Sequence, residues 1–85
     1  MPKIKLYANL RKIAGVKEII LEGSCLNQVM KRLVLSHPGL EGIIFENEQF
    51  LSHNIVTLNG YHVTDFSVSL KDEDTISIFP PISGG

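Results

Sequence analysis

The chain predicts a two-layer α+β domain, with one amphipathic helix packed on a sheet that has a single apolar face. Two observations carry this reading. One segment repeats its apolar residues at helical spacing, and several short segments alternate apolar and polar residues at strand spacing. No internal repeat, linker or low-complexity stretch divides the 85 residues, so they are read as one domain.

Residues 3–8 alternate, with Ile4, Leu6 and Ala8 on one face and Lys3, Lys5 and Tyr7 on the other. That is the pattern of a half-buried strand. Residues 10–14 read as a helical turn or loop closed by Gly15. Residues 16–21 are rich in β-branched side chains and give a second strand. Ser24 offers an N-cap. Behind it Leu26, Val29, Met30, Leu33 and Val34 make one apolar stripe over about three helical turns. His37-Pro38-Gly39 stops that helix, because a residue before proline is pushed out of the helical region. Residues 40–45 suggest a short second helix through Leu40, Ile43 and Ile44. Residues 46–54 are polar and read as a loop, with some strand at Phe50-Leu51. Asn59-Gly60, between two strand-like runs at 55–58 and 61–63, signals a two-residue hairpin. Residues 66–70 connect to a charged, solvated turn, Lys71-Asp72-Glu73-Asp74. Residues 75–79 alternate again, with Ile76 and Ile78 opposite Thr75, Ser77 and Phe79.

Composition narrows the function classes. The hydrophobic fraction is 44% and the charged fraction 20%, as in a soluble globular domain. The net charge is −1 with no basic block, which argues against nucleic acid as a partner. No apolar run approaches the roughly 20 residues that span a bilayer, and the start lacks the apolar stretch of a signal peptide. No membrane partner is expected. Cys25 is the single cysteine, so no internal disulfide forms, and the cytoplasm is the expected location. A domain of this size buries only about 60–65% of its unfolded surface, which leaves no room for a deep active site of its own.

The C-terminal end carries the chemistry. Pro80 and Pro81 lack the N–H that would continue a central strand, and their fixed φ favours an extended exit from the sheet. Ile82, Ser83, Gly84 and Gly85 follow. Six extended residues reach roughly 20 Å, enough to enter a pocket on a neighbouring protein. A Gly-Gly end passes a narrow channel and leaves its terminal carbonyl carbon unhindered. Those properties suit a carboxylate that is activated as an acyl adenylate and then attacked. On the residues alone, a frayed terminus and a functional tail both fit a Gly-Gly end.

Phe79-Pro80-Pro81-Ile82-Ser83-Gly84-Gly85 resembles the ending of the small-subunit family of molybdopterin synthase. Residues 6–15, Thr57-Leu58-Asn59-Gly60 and residues 70–76 are similar to that family's opening strand and turn, central hairpin and final turn, so the resemblance spans nearly the whole chain. It implies a ubiquitin-like β-grasp domain over residues 1–79, with a mixed sheet on one main helix, and an extended tail over 80–85. It implies a sulfur carrier that is not catalytic alone. An E1-like adenylyltransferase would use ATP to adenylate the Gly85 carboxylate. A sulfur donor would convert it to a thiocarboxylate. The tail would then enter the large subunit of the synthase, typically in a two-plus-two heterotetramer, and sulfur would build the dithiolene of molybdopterin. Gly84 would supply clearance, and Pro80 and Pro81 would aim the tail. No cofactor or metal would be bound by the chain itself. Two positions depart from the family: Glu73 stands where glycine is common in the final turn, and His62 where many relatives carry an aliphatic residue facing a partner.

Tyr7 and Phe79 lie opposite the apolar residues of their strands. If the strands are neighbours, the two aromatics form a partner-docking patch beside the tail. Arg11 and His62 are the other candidate contacts. Cys25 stands near a helix N-terminus with no assignable base and is read as structural. His37, His53 and His62 lack metal-ligand spacing. Three other readings fit the same tail: a sulfur carrier for thiamine or tRNA thiolation, a ubiquitin-like modifier joined to lysines, and a non-covalent interaction module.

Overall fold

The computed structural model describes residues 1–81; the tail residues Ile82, Ser83, Gly84 and Gly85 lie outside the described part. The elements are β1 (Lys3–Leu6), α1 (Asn9–Ala14), β2 (Glu18–Ile20), α2 (Leu26–Ser36), a 3₁₀ turn (Pro38–Leu40), β3 (Phe45–Glu46), β4 (Gln49–Phe50), β5 (Ile55–Leu58), β6 (Tyr61–His62) and β7 (Thr75–Phe79).

Five strands form one mixed sheet in the order β2-β1-β7-β5-β6, and β3-β4 is a separate hairpin. β1 and β7 run parallel at the centre, and the other pairs are antiparallel. The parallel register sets Ile4 beside Ile76 and Leu6 beside Ile78. With Val56 of β5 these side chains make the apolar face of the sheet, and each is essentially fully buried. The stripe of α2 closes over it: Leu26, Val29, Met30 and Leu33 are wholly buried and Val34 nearly so. Burying a side chain of this size contributes about 1.5–3 kcal/mol, so the helix is held by this face rather than by its own propensity.

The start of α2 differs from the sequence expectation. Cys25, not Ser24, occupies the N-cap position, and its side chain makes no capping bond. The helix is capped tertiarily instead. The N–H groups of Leu26 and Asn27 donate to the Val68 and Phe66 carbonyls, 3.1 and 2.8 Å away. Those acceptors belong to a distant connection, so no local motif encodes them. Ser24 donates its N–H and hydroxyl to Gln28 Oε1.

Other elements also shifted. β1 stops at Leu6, and Ala8, expected on the core face, is exposed with φ 54°. The chain must turn there to start α1, whose first residue is Asn9. Residues 40–45 do not form a helix. The helical geometry is confined to Pro38–Leu40, because Gly42 takes φ 81° and turns the chain into β3. Residues 46–54 are not a loop throughout: β3 and β4 pair through Phe45 and Phe50, with Asn47 and Glu48 both at positive φ in the turn. The hairpin at Asn59-Gly60 forms as read, with φ 52° and 88° at its two turn residues. Glu73 is not at positive φ, so its departure from glycine introduces no strain.

The turn before β7 is less solvated than its composition suggests. Asp74 is buried, and its carboxylate accepts from the Lys71 N–H at 2.7 Å and from Asn59 Nδ2 at 2.9 Å. Asn59 Oδ1 accepts from the Thr75 N–H at 2.9 Å. This clip ties the central hairpin to the strand that leads to the tail. The Lys71 N–H first, and Asn59 second, hold the Asp74 carboxyl below its ordinary range. A lowered carboxylate pKa stabilises the fold above the unfolded-state value, and that contribution is lost as pH falls through the folded value. The clip is therefore intact at neutral pH and opens only in acid. Asp74→Ala is expected to cost about 1–3 kcal/mol, because Asn59 Nδ2 and the Lys71 N–H lose their acceptor. Thermal melts should show a drop of several degrees at pH 7 that shrinks toward zero in strong acid. A pH-independent difference would remove the carboxylate from the account.

Candidate partner-docking site

The parallel pairing of β1 and β7 decides the geometry beside the tail. Leu6 stands opposite Ile78, so the next residues, Tyr7 and Phe79, fall side by side on the outer face. Their rings stack with centroids 4.4 Å apart and planes 16° apart. Each is half-buried rather than freely exposed, because the partner ring covers one side. Ile55 pairs with Phe79 across β5 and β7 and extends the row; it is 47% exposed. Tyr7, Ala8, Ile55, Phe79, Pro80 and Pro81 line a groove of about 390 Å³. Such a strip of apolar side chains beside a chain exit is suited to exclude water against a partner.

Arg11 projects from α1 onto the same corner. Its Nε donates to the Leu6 carbonyl at 2.8 Å, and its guanidinium carbon lies 5.4 Å from the Tyr7 ring centroid. The ring face attracts the cation, and the hydrogen bond fixes its direction. Tyr7, Phe79, Arg11, Pro80 and Pro81 are therefore brought to one end of the molecule.

His62 does not line that groove. It is exposed on the edge strand β6, opposite Thr57, and lines a different recess with Phe50, Phe66 and Asn54. The register sets His62 one strand over and two positions along β5 from Ile55, the residue that meets Phe79. Ile55 and Ala8 are the residues that sequence reading missed. The signal for Ile55 was present: in an alternating strand whose Val56 faces the core, Ile55 must face out.

Cys25 is partly exposed and its backbone bridges to Ser69, so it joins α2 to the connection before β7. Among the described residues no group of three His, Cys, Asp or Glu side chains is placed to hold a metal ion. No described helix is long and apolar enough to cross a membrane.

Residues 4–85 match the ThiS family. The molybdopterin synthase sulfur carrier subunit of Arabidopsis thaliana is 33% identical over 98% of this chain and 81% of its own length. Small archaeal modifier protein 3 of Haloferax volcanii is 28% identical over 98% of this chain and 97% of its own. The solution structure of small archaeal modifier protein 1 from Methanosarcina acetivorans superposes with a TM-score of 0.88 at 34% identity, covering 99% and 95% of the two chains. Its likeness includes the mixed sheet on one main helix, the ubiquitin-like β-grasp. The chain therefore belongs to the ThiS family of ubiquitin-like sulfur carriers.

Proposed function

We propose that the chain is the sulfur-carrier subunit of a molybdopterin synthase. The observation that carries this reading is the apolar groove of Tyr7, Ile55 and Phe79 at the Pro80-Pro81 exit of a chain ending in Gly84-Gly85. The naming of the Arabidopsis relative supports the pathway. In this reading the Gly85 carboxylate attacks the α-phosphate of ATP on an E1-like adenylyltransferase and releases pyrophosphate. Sulfide supplied by a donor then attacks the acyl carbon and displaces AMP, leaving a thiocarboxylate. The groove docks on the large subunit, the tail enters its pocket, and the sulfur passes to a pyranopterin substrate. Water hydrolyses the thioester formed when that sulfur bonds to the substrate, leaving a thiol on the pterin and returning Gly85 to the carboxylate. The acid–base groups belong to the partners; this chain supplies the aimed acyl group.

A second reading is favoured by the relatives named as small archaeal modifier proteins. A lysine amine attacking the same adenylate would form an isopeptide bond. One experiment separates the two. The protein is incubated with the E1-like enzyme, ATP and a sulfur donor, and its intact mass is taken. A gain equal to one oxygen replaced by sulfur supports the carrier. High-mass isopeptide adducts in cell extract without that gain support the modifier. No change in either assay sinks both.

A further inference from the structure

A second surface adjoins the groove. Lys5, Arg11 and Lys17 surround a notch of about 240 Å³ whose wall also includes Leu6, Tyr7 and Glu18. Tyr7 lines both the notch and the groove, so the two surfaces are continuous. Charge is segregated along the chain in the same sense. Lys3, Lys5, Arg11, Lys12 and Lys17 are five of the eight basic residues, and the first acidic residue is Glu18. β1, α1 and the residue before β2 bring Lys5, Arg11 and Lys17 of this stretch around the notch. A chain of net charge −1 thus carries three cations around one notch that adjoins the groove at the Pro80-Pro81 exit.

The cations there are little neutralised. Glu18 is the single carboxylate in the notch wall, and its ion pair, at 3.9 Å, is with Lys3. Lys5, Arg11 and Lys17 make no ion pair among the described residues. Arg11 is preorganised by Leu6 and Tyr7 through Nε and its ring contact, while its terminal nitrogens donate to no described protein group. A guanidinium fixed at one edge and open at the other presents a fork that matches a carboxylate.

We infer that the Lys5–Arg11–Lys17 notch docks a carboxylate-bearing segment of the protein that receives the tail. This deepens the carrier reading and rests on it for the identity of that protein. The apolar groove supplies burial, and the notch supplies orientation. Charges at the rim of an interface act mainly on encounter rate and its salt dependence. Their role is to bring the tail end, rather than the acidic remainder of the surface, to the partner first.

Two measurements test it. In the first, a hexaglutamate peptide is titrated into the labelled full-length protein and followed by amide NMR shifts. Shifts should concentrate at Lys5, Tyr7, Arg11 and Lys17, and fade at about 0.15 M salt, where the Debye length is about 8 Å. The Lys5→Glu, Lys17→Glu double variant, checked for an unchanged fold by its own spectrum, should lose them. Equal shifts at Lys31, Arg32 and Lys71 would overturn the site. The same shifts with inorganic phosphate at equal affinity would make it a phosphate site and overturn the carboxylate assignment.

In the second, association with the large subunit encoded in the same genome is timed. The double variant should associate roughly tenfold or more slowly at low salt, with the difference collapsing as salt rises. An unchanged rate overturns the inference. Failure of the unaltered protein to bind the large subunit at all counts against the molybdopterin reading, whereas the peptide titration judges the notch by itself.

Discussion

A chain ending at Gly84 is expected to acquire no thiocarboxylate and to support no sulfur transfer. The truncated chain still ends in a glycine carboxylate, so its chemistry is unchanged; only its reach differs. One residue of extended chain spans about 3.3–3.6 Å, and a displacement of about 1 Å at a reacting centre costs on the order of a hundredfold in rate. Loss of one residue should therefore abolish turnover. Adding one alanine after Gly85 should do the same from the other side, by overshooting the activating site and placing a Cβ on the terminal residue. Fold and melting temperature should not change, because the core residues all lie between Ile4 and Ile78. The readout is intact mass after incubation with the E1-like enzyme, ATP and sulfur donor, followed by single-turnover transfer with the large subunit. Full conversion of the shortened chain would show that the terminus is not positioned by the groove, and the aimed-tail account would fail.

Phe79→Asp should weaken binding of the large subunit by about 30-fold or more while leaving the domain folded. Truncating an interface anchor costs about 2 kcal/mol or more, and each 1.4 kcal/mol is a factor of ten. An aspartate adds the cost of burying a charge against Tyr7 and Ile55. The domain survives because Phe79 is the last residue of β7, faces away from the core, and is only half-buried. Loss of the Tyr7–Phe79 stack should lower stability by about 0.5–1.5 kcal/mol. Phe79→Leu, which keeps an apolar surface without the ring, should restore most of the affinity. Binding is read by calorimetry and folding by the amide spectrum. Unchanged affinity of a folded Phe79→Asp protein would remove the groove from the interface.

The sheet strands and the helix stripe were legible because each obeys a local period. Ile76 and Ile78 face the core as alternation requires, and every residue of the Leu26–Val34 stripe is buried or nearly so. Asn59-Gly60 was legible because a two-residue turn needs positive φ at both positions, which few residue pairs accept. The failures share a different cause. The α2 cap is supplied by Phe66 and Val68, some forty residues along the chain from Leu26 and Asn27. Asp74 looked like one more solvated acid until Asn59 and Lys71 were brought to it. The β3-β4 hairpin sits in a polar stretch whose turn uses Asn47 and Glu48 at positive φ without a glycine signal.

The site divides along the same line. Sequence alone determined which residues leave the sheet, since Pro80 and Pro81 cannot continue a hydrogen-bonded strand wherever they fall. It also determined that Tyr7 and Phe79 face away from the core, because their neighbours Leu6 and Ile78 must face in. Only the tertiary structure decided that these two aromatics touch, that Ile55 completes their row, and that His62 lines a different recess. The reason is register. Alternation assigns each side chain to a face, but the strand that becomes its neighbour, and the residue it meets there, are set by packing of the whole sheet against α2.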